Sequence, residues 1–277
     1  MTGFTTLINA SELDTIVKNS SADVKILDCR ARLGDRDFGP GVYRDGHIPA
    51  AQYLSLDDDL ASPPGRGGRH PLPVKSALAA RLARLGLNDS DQIVVYDDAG
   101  GAFAARAWWC LRWLGHQRAA LLDGGISAWS GALTAQQSVV EQGDFSVRAS
   151  LTRTIDAAAL ARDIALKTTT ITLLDARTQA RFDAVEEPID TVAGHIPGAH
   201  CLPLQDNLDA HGKFCSAAAL RARFAKYLHA SVVCYCGSGV TATHNILAMK
   251  IAGYPEPALY PGSWSEWLLD PARPRAP

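Results

Sequence analysis

Short apolar runs alternate with amphipathic stretches along the first half of the chain. Residues 92–96 and 119–122 are largely apolar, which is typical of buried strands. Residues 77–85 carry apolar side chains at helical spacing and end at Gly86, and residues 102–114 predict another helix. Strands that alternate with helices favour a parallel sheet covered by helices on both faces, an α/β fold class.

The same alternation extends through the rest of the chain. Ser11 and Ser76 are predicted to cap helices, the first of which runs to about Lys18. Further strands are predicted at residues 24–27, 171–174, 232–235 and 258–260, and further helices at residues 217–228 and 240–252. Ligands of such sheets bind at the carboxyl ends of the strands, where loops enter helices.

Four blocks of sequence occur twice in the same order. Segments 26–30, 46–51, 94–98 and 123–129 match 173–177, 194–199, 232–236 and 261–267, at offsets of 147, 148, 138 and 138 residues. Such matches indicate two copies of one domain. The copies are predicted at residues 1–132 and 151–277, joined by a polar linker at 133–150. The third match pairs Asp98 with Cys236.

Composition limits the classes of partner. The chain has 277 residues, 27 basic and 29 acidic, for a net charge of −2. This balance argues against a nucleic-acid coat or a polybasic membrane anchor. No apolar run approaches the roughly 20 residues that cross a bilayer, and the first residues lack the pattern of a secretory signal. The sequence therefore predicts a cytoplasmic protein whose six cysteines are reduced.

Candidate chemistry lies in the loop at residues 236–242. It follows an apolar strand and precedes a helix, and Gly237 and Gly239 allow its backbone N–H groups to turn inward. Inward N–H groups at a helix N-terminus form an anion site, so we expect a lowered pKa for Cys236 and a site suited to a thiolate or a persulfide. The alternative is a small buried side chain at a strand end, which we prefer for the other five cysteines.

The repeat and this loop together resemble the two-domain rhodanese-like sulfurtransferases over nearly the whole chain. The shared marks are two Leu-Asp pairs ending at Asp28 and Asp175, two Gly-His-Ile-Pro blocks, the linker, the Cys236 loop and the segment 262–267. The resemblance implies two tandem domains, of which only the second is active. Asp98, in the place of Cys236, would leave the first copy structural, closing a cleft over the second.

The resemblance also implies a two-step cycle without a metal or an organic cofactor. The Cys236 thiolate takes sulfur from a donor and becomes a persulfide, and a thiol, a thioredoxin-like protein or cyanide then accepts the outer sulfur. The loop reads Cys-Gly-Ser-Gly-Val-Thr, which resembles the 3-mercaptopyruvate enzymes, whereas thiosulfate enzymes resemble Cys-Arg-Lys-Gly-Val-Thr. Thiosulfate remains the alternative donor.

Several side chains are candidates for binding the donor. The loop residues Gly237, Gly239, Val240 and Thr241 would line the anion site. Ser238 is a candidate catalytic residue whose hydroxyl donates to the donor carbonyl or to the migrating sulfur, or it is an ordinary turn residue. Arg181 matches the family's substrate arginine, which would hold a carboxylate; without the resemblance, a solvated surface arginine would be the preferred interpretation.

One departure from the family pattern bears on the donor. Mercaptopyruvate enzymes usually carry a second arginine after an acidic-proline stretch, and residues 186–193 contain none. The glycine-rich loop at 65–73 offers Arg66 or Arg69 as a replacement. Its His70 matches a family histidine of the interdomain cleft, which would pair with one of three aspartates, Asp57, Asp58 or Asp59. A flexible loop with solvated arginines is the alternative.

Other residue patterns have simpler or rival interpretations. His47 and His195 in the Gly-His-Ile-Pro blocks, and Arg30 and Arg177 near the two aspartates, are predicted to be structural. A Cys-x5-Arg phosphatase is excluded because position 242 is alanine. A zinc site built from Cys234, Cys236 and His244 has unusual spacing. A non-catalytic binding module remains the rival class.

Overall fold

The computed structural model describes residues 3–19, 23–166, 170–227 and 231–277. It divides into two compact units. Unit 1 comprises Met1–Ser62, Pro73–Leu151 and Ala210–Phe214, and unit 2 comprises Pro63–Leu72, Thr152–Asp209 and Cys215–Pro277. The glycine-rich loop therefore belongs to unit 2, although it lies in the first copy by sequence. None of the helices in the described ranges is both long and apolar enough to span a membrane.

Unit 1 is built on a parallel sheet in the order β1-β5-β4-β2-β3. Its strands are β1 (Leu7–Ile8), β2 (Val24–Asp28), β3 (Gln52–Tyr53), β4 (Gln92–Tyr96) and β5 (Ala119–Leu122). Its helices are α1 (Ala10–Lys18), α2 (Phe38–Asp45), α3 (Lys75–Arg84) and α4 (Ala104–Trp113), with a short 3₁₀ helix at Gly125–Ala128. Every residue of β4 is buried, as expected for a central strand of a covered parallel sheet.

Unit 2 repeats this plan with a parallel sheet in the order β7-β6-β8-β9. Its strands are β6 (Ile171–Asp175), β7 (His200–Cys201), β8 (Ser231–Tyr235) and β9 (Ala258–Leu259). Its helices are α5 (Ala157–Ala165), α6 (Gln179–Phe182), α7 (Ala217–Phe224), α8 (Ala242–Ile251) and α9 (Ser263–Trp267), with 3₁₀ turns at Leu204–Asn207 and Ala225–Tyr227. The prediction of two α/β domains with parallel sheets is confirmed.

The predicted strands β4 and β5 have the expected bounds, whereas the helix ends differ. Helix α1 is capped by Asn9 rather than Ser11, because Asn9 accepts a hydrogen bond from the Glu12 amide and the Glu12 carboxylate accepts one from the Asn9 amide. Helix α3 begins at Lys75 with Val74 in the cap position, so the predicted Ser76 cap is also wrong. The helix predicted at 217–228 ends its α-helical part at Phe224, and Leu228 lies outside the described residues.

Helices α4 and α8 each begin two residues later than predicted, at Ala104 and Ala242. The residues before them belong to loops rather than to the helices, and these loops contain glycines with positive φ angles, +92° at Gly101 and +77° at Gly239. The loop before α4 follows the carboxyl end of β4, and the loop before α8 follows the carboxyl end of β8. These two strands pair with β2 and β6, respectively.

The strand registers determine how the two copies correspond. Asp28 of β2 pairs with Tyr96, and Asp175 of β6 pairs with Tyr235. The Tyr96 hydroxyl donates to Asp28 at 2.7 Å and accepts from the Ile48 amide, and the Tyr235 hydroxyl likewise accepts from an amide of the second Gly-His-Ile-Pro block. Tyr96 is therefore the counterpart of Tyr235.

This correspondence corrects the pairing of Asp98 with Cys236. The residue after Tyr96 is Asp97, so Asp97 occupies the place of Cys236 and Asp98 follows it. The sequence match was displaced because the loop before α4 is one residue longer than the loop before α8. The first copy still carries an aspartate at this place, but a different one.

The residues predicted to be structural hold loops to strands, as expected. Arg30 donates to both carboxylate oxygens of Asp28 and to the carbonyl of Gly46, and Arg177 donates in the same way to Asp175 and to the carbonyl of Gly194. In the Gly-His-Ile-Pro blocks, His47 Nδ1 bonds the carbonyl of Tyr43 at 2.7 Å, and His195 Nδ1 bonds that of Phe182 at 2.9 Å. Each imidazole also stacks on the ring of that same residue.

The predicted linker has no helix or strand and adheres to unit 1. The amide of Phe145, whose side chain is buried, donates to the carbonyl of Leu87 at 3.1 Å, and the amide of Arg148 donates to that of Leu114 at 2.8 Å. These backbone bonds replace the internal hydrogen bonds that the segment lacks. The stretch is polar and aperiodic because it follows the surface of an existing domain.

Candidate active site

Cys236 lies at the carboxyl end of β8, in the loop that leads to α8. Its residue exposure is 1%, and the amide of Gly239 donates a hydrogen bond to its Sγ at 3.2 Å. Gly239 has a φ of +77°, and any Cβ there would collide with the carbonyl of Pro261. Glycine is therefore required to aim this amide at the sulfur, which agrees with the inward-turned loop expected from the sequence.

Helix α9 fixes the backbone at the base of the loop. The Cys236 amide donates to Ser263 Oγ at 3.1 Å, and this hydroxyl donates to the carbonyl of Tyr260 at 2.9 Å. The amides of Trp264 and Ser265 donate to the carbonyls of Cys236 and Gly237, at 3.0 and 2.9 Å. These bonds fix the backbone of Cys236 and Gly237.

Ser263 is a positioning residue that sequence reasoning missed. Its φ of +52° is uncommon for a residue with a side chain, and its counterpart in the first copy is Gly125, with a φ of +59°. A serine adopts this left-handed conformation where its hydroxyl accepts a hydrogen bond from the Cys236 amide. The serine that stands opposite Gly125 in the fourth matched block was the available signal.

Two guanidinium groups stand over Gly237. A Cβ at this position would lie 2.9 Å from Nη2 of Arg69 and 3.5 Å from both Nη atoms of Arg181. The loop itself is neutral, yet the structure brings two cations to it, one from α6 and one from the glycine-rich loop. Of the two predicted replacements for the missing arginine, Arg69 is at the Cys236 loop, and Arg66 is exposed to solvent.

Two buried carboxylates hold these cations. Glu187 accepts from Nη2 and Nε of Arg181 at 2.7 and 3.2 Å. Asp190 accepts from Nη2 of Arg181 at 3.0 Å through one oxygen and from Nη1 of Arg69 through the other. The carboxylate side chains are only 5% and 4% exposed. Neither was singled out from the sequence, although both lie in the stretch that lacks the second arginine.

Glu187 joins this cluster to the strand end. Burial alone would raise its pKa, but the amides of Asp190 and Ile189 and the guanidinium of Arg181 donate to its carboxylate and hold the pKa below the ordinary 4.5. It also contacts Arg177 at 3.4 Å. Burial alone would lower the Arg177 pKa, but the charge and hydrogen bonds of Asp175, with a smaller contribution from Glu187, leave this pKa raised. Glu187 is therefore ionised throughout the neutral range.

Replacing Glu187 by glutamine is expected to destabilise unit 2 by about 2 kcal/mol at pH 7, because charged hydrogen bonds to Arg181 and to two amides are weakened. The folded-state pKa of Glu187 is lowered, so its contribution is fully present above the unfolded value and is lost as pH falls through the folded pKa. Urea unfolding between pH 3.5 and 7 should show the difference from wild type shrinking below about pH 4.5.

The neighbouring Glu186 provides the matched control, because it is exposed. Glu186→Gln should change stability by less than about 0.5 kcal/mol at every pH. A Glu187→Gln penalty that stays constant down to the lowest pH would contradict the assignment of a lowered pKa.

The structure also brings His70 and Ser238 together. His70 Nδ1 and Ser238 Oγ are hydrogen-bonded at 2.8 Å, and Ser238 is 4% exposed. The glycine-rich loop is anchored by the Arg69 amide, which donates to Ser265 Oγ at 3.1 Å, and by the close approach of Gly68 to the start of α9. This loop is thus held by unit 2 beside the Cys236 loop rather than being free, as the alternative interpretation required.

The remaining candidates lie in less direct positions. The carbonyl of Val240 accepts from the Thr243 hydroxyl at 2.6 Å, and Thr241 precedes the first residue of α8, so both form the turn into the helix. Asp58 pairs with Arg36, and Asp59 pairs with Arg81 at 3.0 Å, all within unit 1. Asp57 belongs to the same segment.

The zinc alternative finds no further ligands among the described residues. No group of three or more His, Cys, Asp and Glu side chains in these ranges could hold a metal ion. Cys234 is fully buried within β8, where desolvation, followed by the charge of Cys236, raises its pKa well above the ordinary value. It is therefore a protonated thiol in the core.

The corresponding loop of the first copy is filled by its own side chain. Asp97 is fully buried, and its Oδ1 accepts from the amides of Ala99 and Gly101 at 2.9 and 2.8 Å. Its Oδ2 accepts from the amides of Phe103 and Ala104, both at 2.8 Å. Four backbone donors at the start of α4 are thus satisfied by one carboxylate, so this loop presents no open anion site.

Comparison with known proteins agrees with this architecture. The family described as "Rhodanese-like domain" matches residues 9–132 and 156–270. A probable 3-mercaptopyruvate sulfurtransferase of Pseudomonas aeruginosa is 46% identical over 98% of this chain and 97% of its own. A putative thiosulfate sulfurtransferase, SseB, of Mycobacterium tuberculosis is 39% identical over 97% of this chain and 95% of its own.

Solved structures show the same similarity. The 3-mercaptopyruvate sulfurtransferase from Leishmania major superposes with a TM-score of 0.82 at 28% identity, covering 97% of this chain and 76% of that one. The family matches twice, once over each copy of the repeat. The two relatives match over nearly the whole chain at identities well above 30%. The chain belongs to the rhodanese-like domain family and carries that domain twice.

Proposed function

We propose that the protein is a sulfurtransferase that moves sulfur from 3-mercaptopyruvate to a thiol or cyanide acceptor through a persulfide on Cys236. The observation that carries this proposal is the position of Cys236 Sγ, which accepts from the Gly239 amide in a loop overlain by the guanidinium groups of Arg69 and Arg181. A sulfur nucleophile and a carboxylate-binding pair of cations are the two elements that this reaction needs.

The first half-reaction follows from these positions. Arg181 and Arg69 orient the donor's carboxylate, and the Cys236 thiolate attacks the donor's thiol sulfur. The new S–S bond forms as the C–S bond breaks, and its electron pair stays on the carbon that becomes the methyl group of pyruvate after protonation. The Ser238 hydroxyl, bonded to His70, donates a hydrogen bond to the donor's carbonyl as negative charge develops there.

The second half-reaction regenerates the thiolate. An acceptor thiolate or cyanide attacks the outer sulfur of the Cys236 persulfide, the S–S bond breaks, and its electron pair returns to Cys236. The amide of Gly239 is placed to stabilise the sulfur anion that leaves in this step. We propose a small thiol or a thioredoxin-like protein as the acceptor in a cytoplasmic setting.

Thiosulfate is the second candidate donor, and two observations favour it. One relative is named a putative thiosulfate sulfurtransferase, and the two guanidinium groups over Gly237 bring positive charge to a loop that is neutral by sequence. However, Glu187 and Asp190 neutralise these cations in place. A site with little excess positive charge suits the single charge of 3-mercaptopyruvate better than the double charge of thiosulfate.

We expect kcat/KM to be at least about tenfold higher for 3-mercaptopyruvate than for thiosulfate, a ratio that corresponds to about 1.4 kcal/mol. The KM for 3-mercaptopyruvate itself is expected to be high. Steady-state kinetics with cyanide as the common acceptor, followed as thiocyanate, would measure both donors in one assay. A higher value for thiosulfate would favour the second candidate. Absence of thiocyanate with either donor would favour a non-catalytic binding module.

A further inference from the structure

Asp190 is the acid shared by the two cations over the catalytic loop. One of its oxygens bonds Nη1 of Arg69 and the other bonds Nη2 of Arg181. Its side chain is 4% exposed, whereas that of Arg69 is 29% exposed. A buried carboxylate thus lies against both guanidinium groups that approach Gly237.

The two cations differ in how much they depend on this acid. Arg181 also has both oxygens of Glu187, so it keeps a charged partner without Asp190. Arg69 reaches the site from the glycine-rich loop, where its backbone is fixed by Ser265. Its guanidinium is oriented by Asp190, which lies in the middle of the segment 186–193. Asp190 therefore determines both how the Arg69 guanidinium is oriented and how much net positive charge the arginine pair brings to the site.

We propose that Asp190 is a positioning residue that determines donor specificity by charge. With the carboxylate of Asp190 against it, the arginine pair accepts the single charge of a carboxylate donor and disfavours a dianion. Without this negative charge, the net charge of the site is one unit more positive where the donor's anionic group binds. The inference rests on the proposed function for the identity of the donors, but it concerns the charge of the bound anion.

Charge gives the proposal a quantitative form. The Coulomb energy between the removed charge and a bound anion is proportional to the anion's own charge. At similar distances, the free energy gained by a dianion is therefore about twice that gained by a monoanion. The factor by which the dianion's affinity rises is then about the square of the factor for the monoanion. For Asp190→Asn we expect pyruvate to bind about threefold more tightly and thiosulfate about tenfold more tightly.

The test uses the Cys236→Ser chain, in which anions bind without reacting. Calorimetric affinities of pyruvate and thiosulfate are measured with Asp190 and with asparagine in its place. In the reactive chain, the same change should raise kcat/KM for thiosulfate about threefold relative to 3-mercaptopyruvate. Asp190→Glu, which keeps the charge, should retain the wild-type preference. If the reactive chain transfers no sulfur, the proposed function fails, and the calorimetric ratio still decides the role of Asp190.

Glu256→Gln is the matched control. Glu256 is a carboxylate of the same unit with an 11% exposed side chain, and it pairs at 3.6 Å with Lys250 in the last turn of α8, the end of the helix opposite the Cys236 loop. This variant should leave both affinities unchanged. Equal changes of the two affinities on Asp190→Asn, or a loss of both, would show that Asp190 only holds the arginines in place and would overturn the proposal.

Asp190→Ser provides a second neutral variant with less bulk. Folding of both neutral variants is checked by circular dichroism before affinities are compared. If neither neutral residue allows the chain to fold, the acid serves stability, and the specificity role is wrong.

Discussion

Replacing Cys236 by serine is expected to lower the rate of sulfur transfer by about 10⁴-fold or more, because a hydroxyl cannot form or carry the persulfide. The loop should remain intact, since Gly239 donates to the side-chain atom and α9 holds the backbone independently. Thiocyanate formation at saturating donor and cyanide measures the loss. Mass spectrometry after incubation with donor alone should show the added sulfur on the wild type and none on the variant.

Cys234→Ser is the matched control two residues earlier. Cys234 is fully buried in β8, and its thiol has a raised pKa because it is desolvated. A hydroxyl there costs stability, about 1–3 kcal/mol, but the folded fraction should retain its activity. Full activity of Cys236→Ser, or loss of chemistry only in Cys234→Ser, would refute Cys236 as the nucleophile.

Asp97→Ala is expected to destabilise unit 1 by about 3–5 kcal/mol. The change removes one carboxylate that accepts from four amides, three of them in buried hydrogen bonds, and each amide left without a partner costs on the order of 1 kcal/mol or more. Urea unfolding monitored by tryptophan fluorescence would measure the loss. Asp97→Asn should behave similarly, because an amide group places a donor against donors.

The adjacent Asp98 is the control that also tests the correspondence of the two copies. Asp98 is exposed, so Asp98→Ala should change stability by less than about 0.5 kcal/mol. A large effect at Asp98 with a small one at Asp97 would restore the pairing suggested by sequence matching and contradict the strand registers.

The fold was predictable because its information is local and repeated. Apolar runs such as β4 and β5 have the period and length of buried strands, and four matched blocks place the same units twice. Helix ends were less predictable. Asn9 rather than Ser11 caps helix α1 because Asn9 and Glu12 exchange two hydrogen bonds, which is the capping-box pattern. The prediction considered only the favourable serine and not this pair.

The site was predictable where a motif or a family resemblance marked it. Cys236, Arg181, Arg69, His70 and Ser238 were named from the sequence, and the structure places them around one loop. Their roles remain predictions for the experiments above.

The residues that hold this arrangement were not predictable. Glu187 and Asp190 look like ordinary surface acids in a polar segment, and only the tertiary fold places them against guanidinium groups. Ser263 likewise acquires its role from a backbone conformation that its residue type does not indicate.

The carboxylate of Asp97 has a consequence for stoichiometry. The four amides of unit 1 that could bind an anionic donor already donate to the carboxylate of Asp97, which is part of the chain. Duplication has thus produced two equivalent positions, one occupied by the carboxylate of Asp97 and the other by the sulfur of Cys236. We expect a fully loaded chain to carry one transferable sulfur rather than two, so titration with donor should reach its end point at one equivalent per chain.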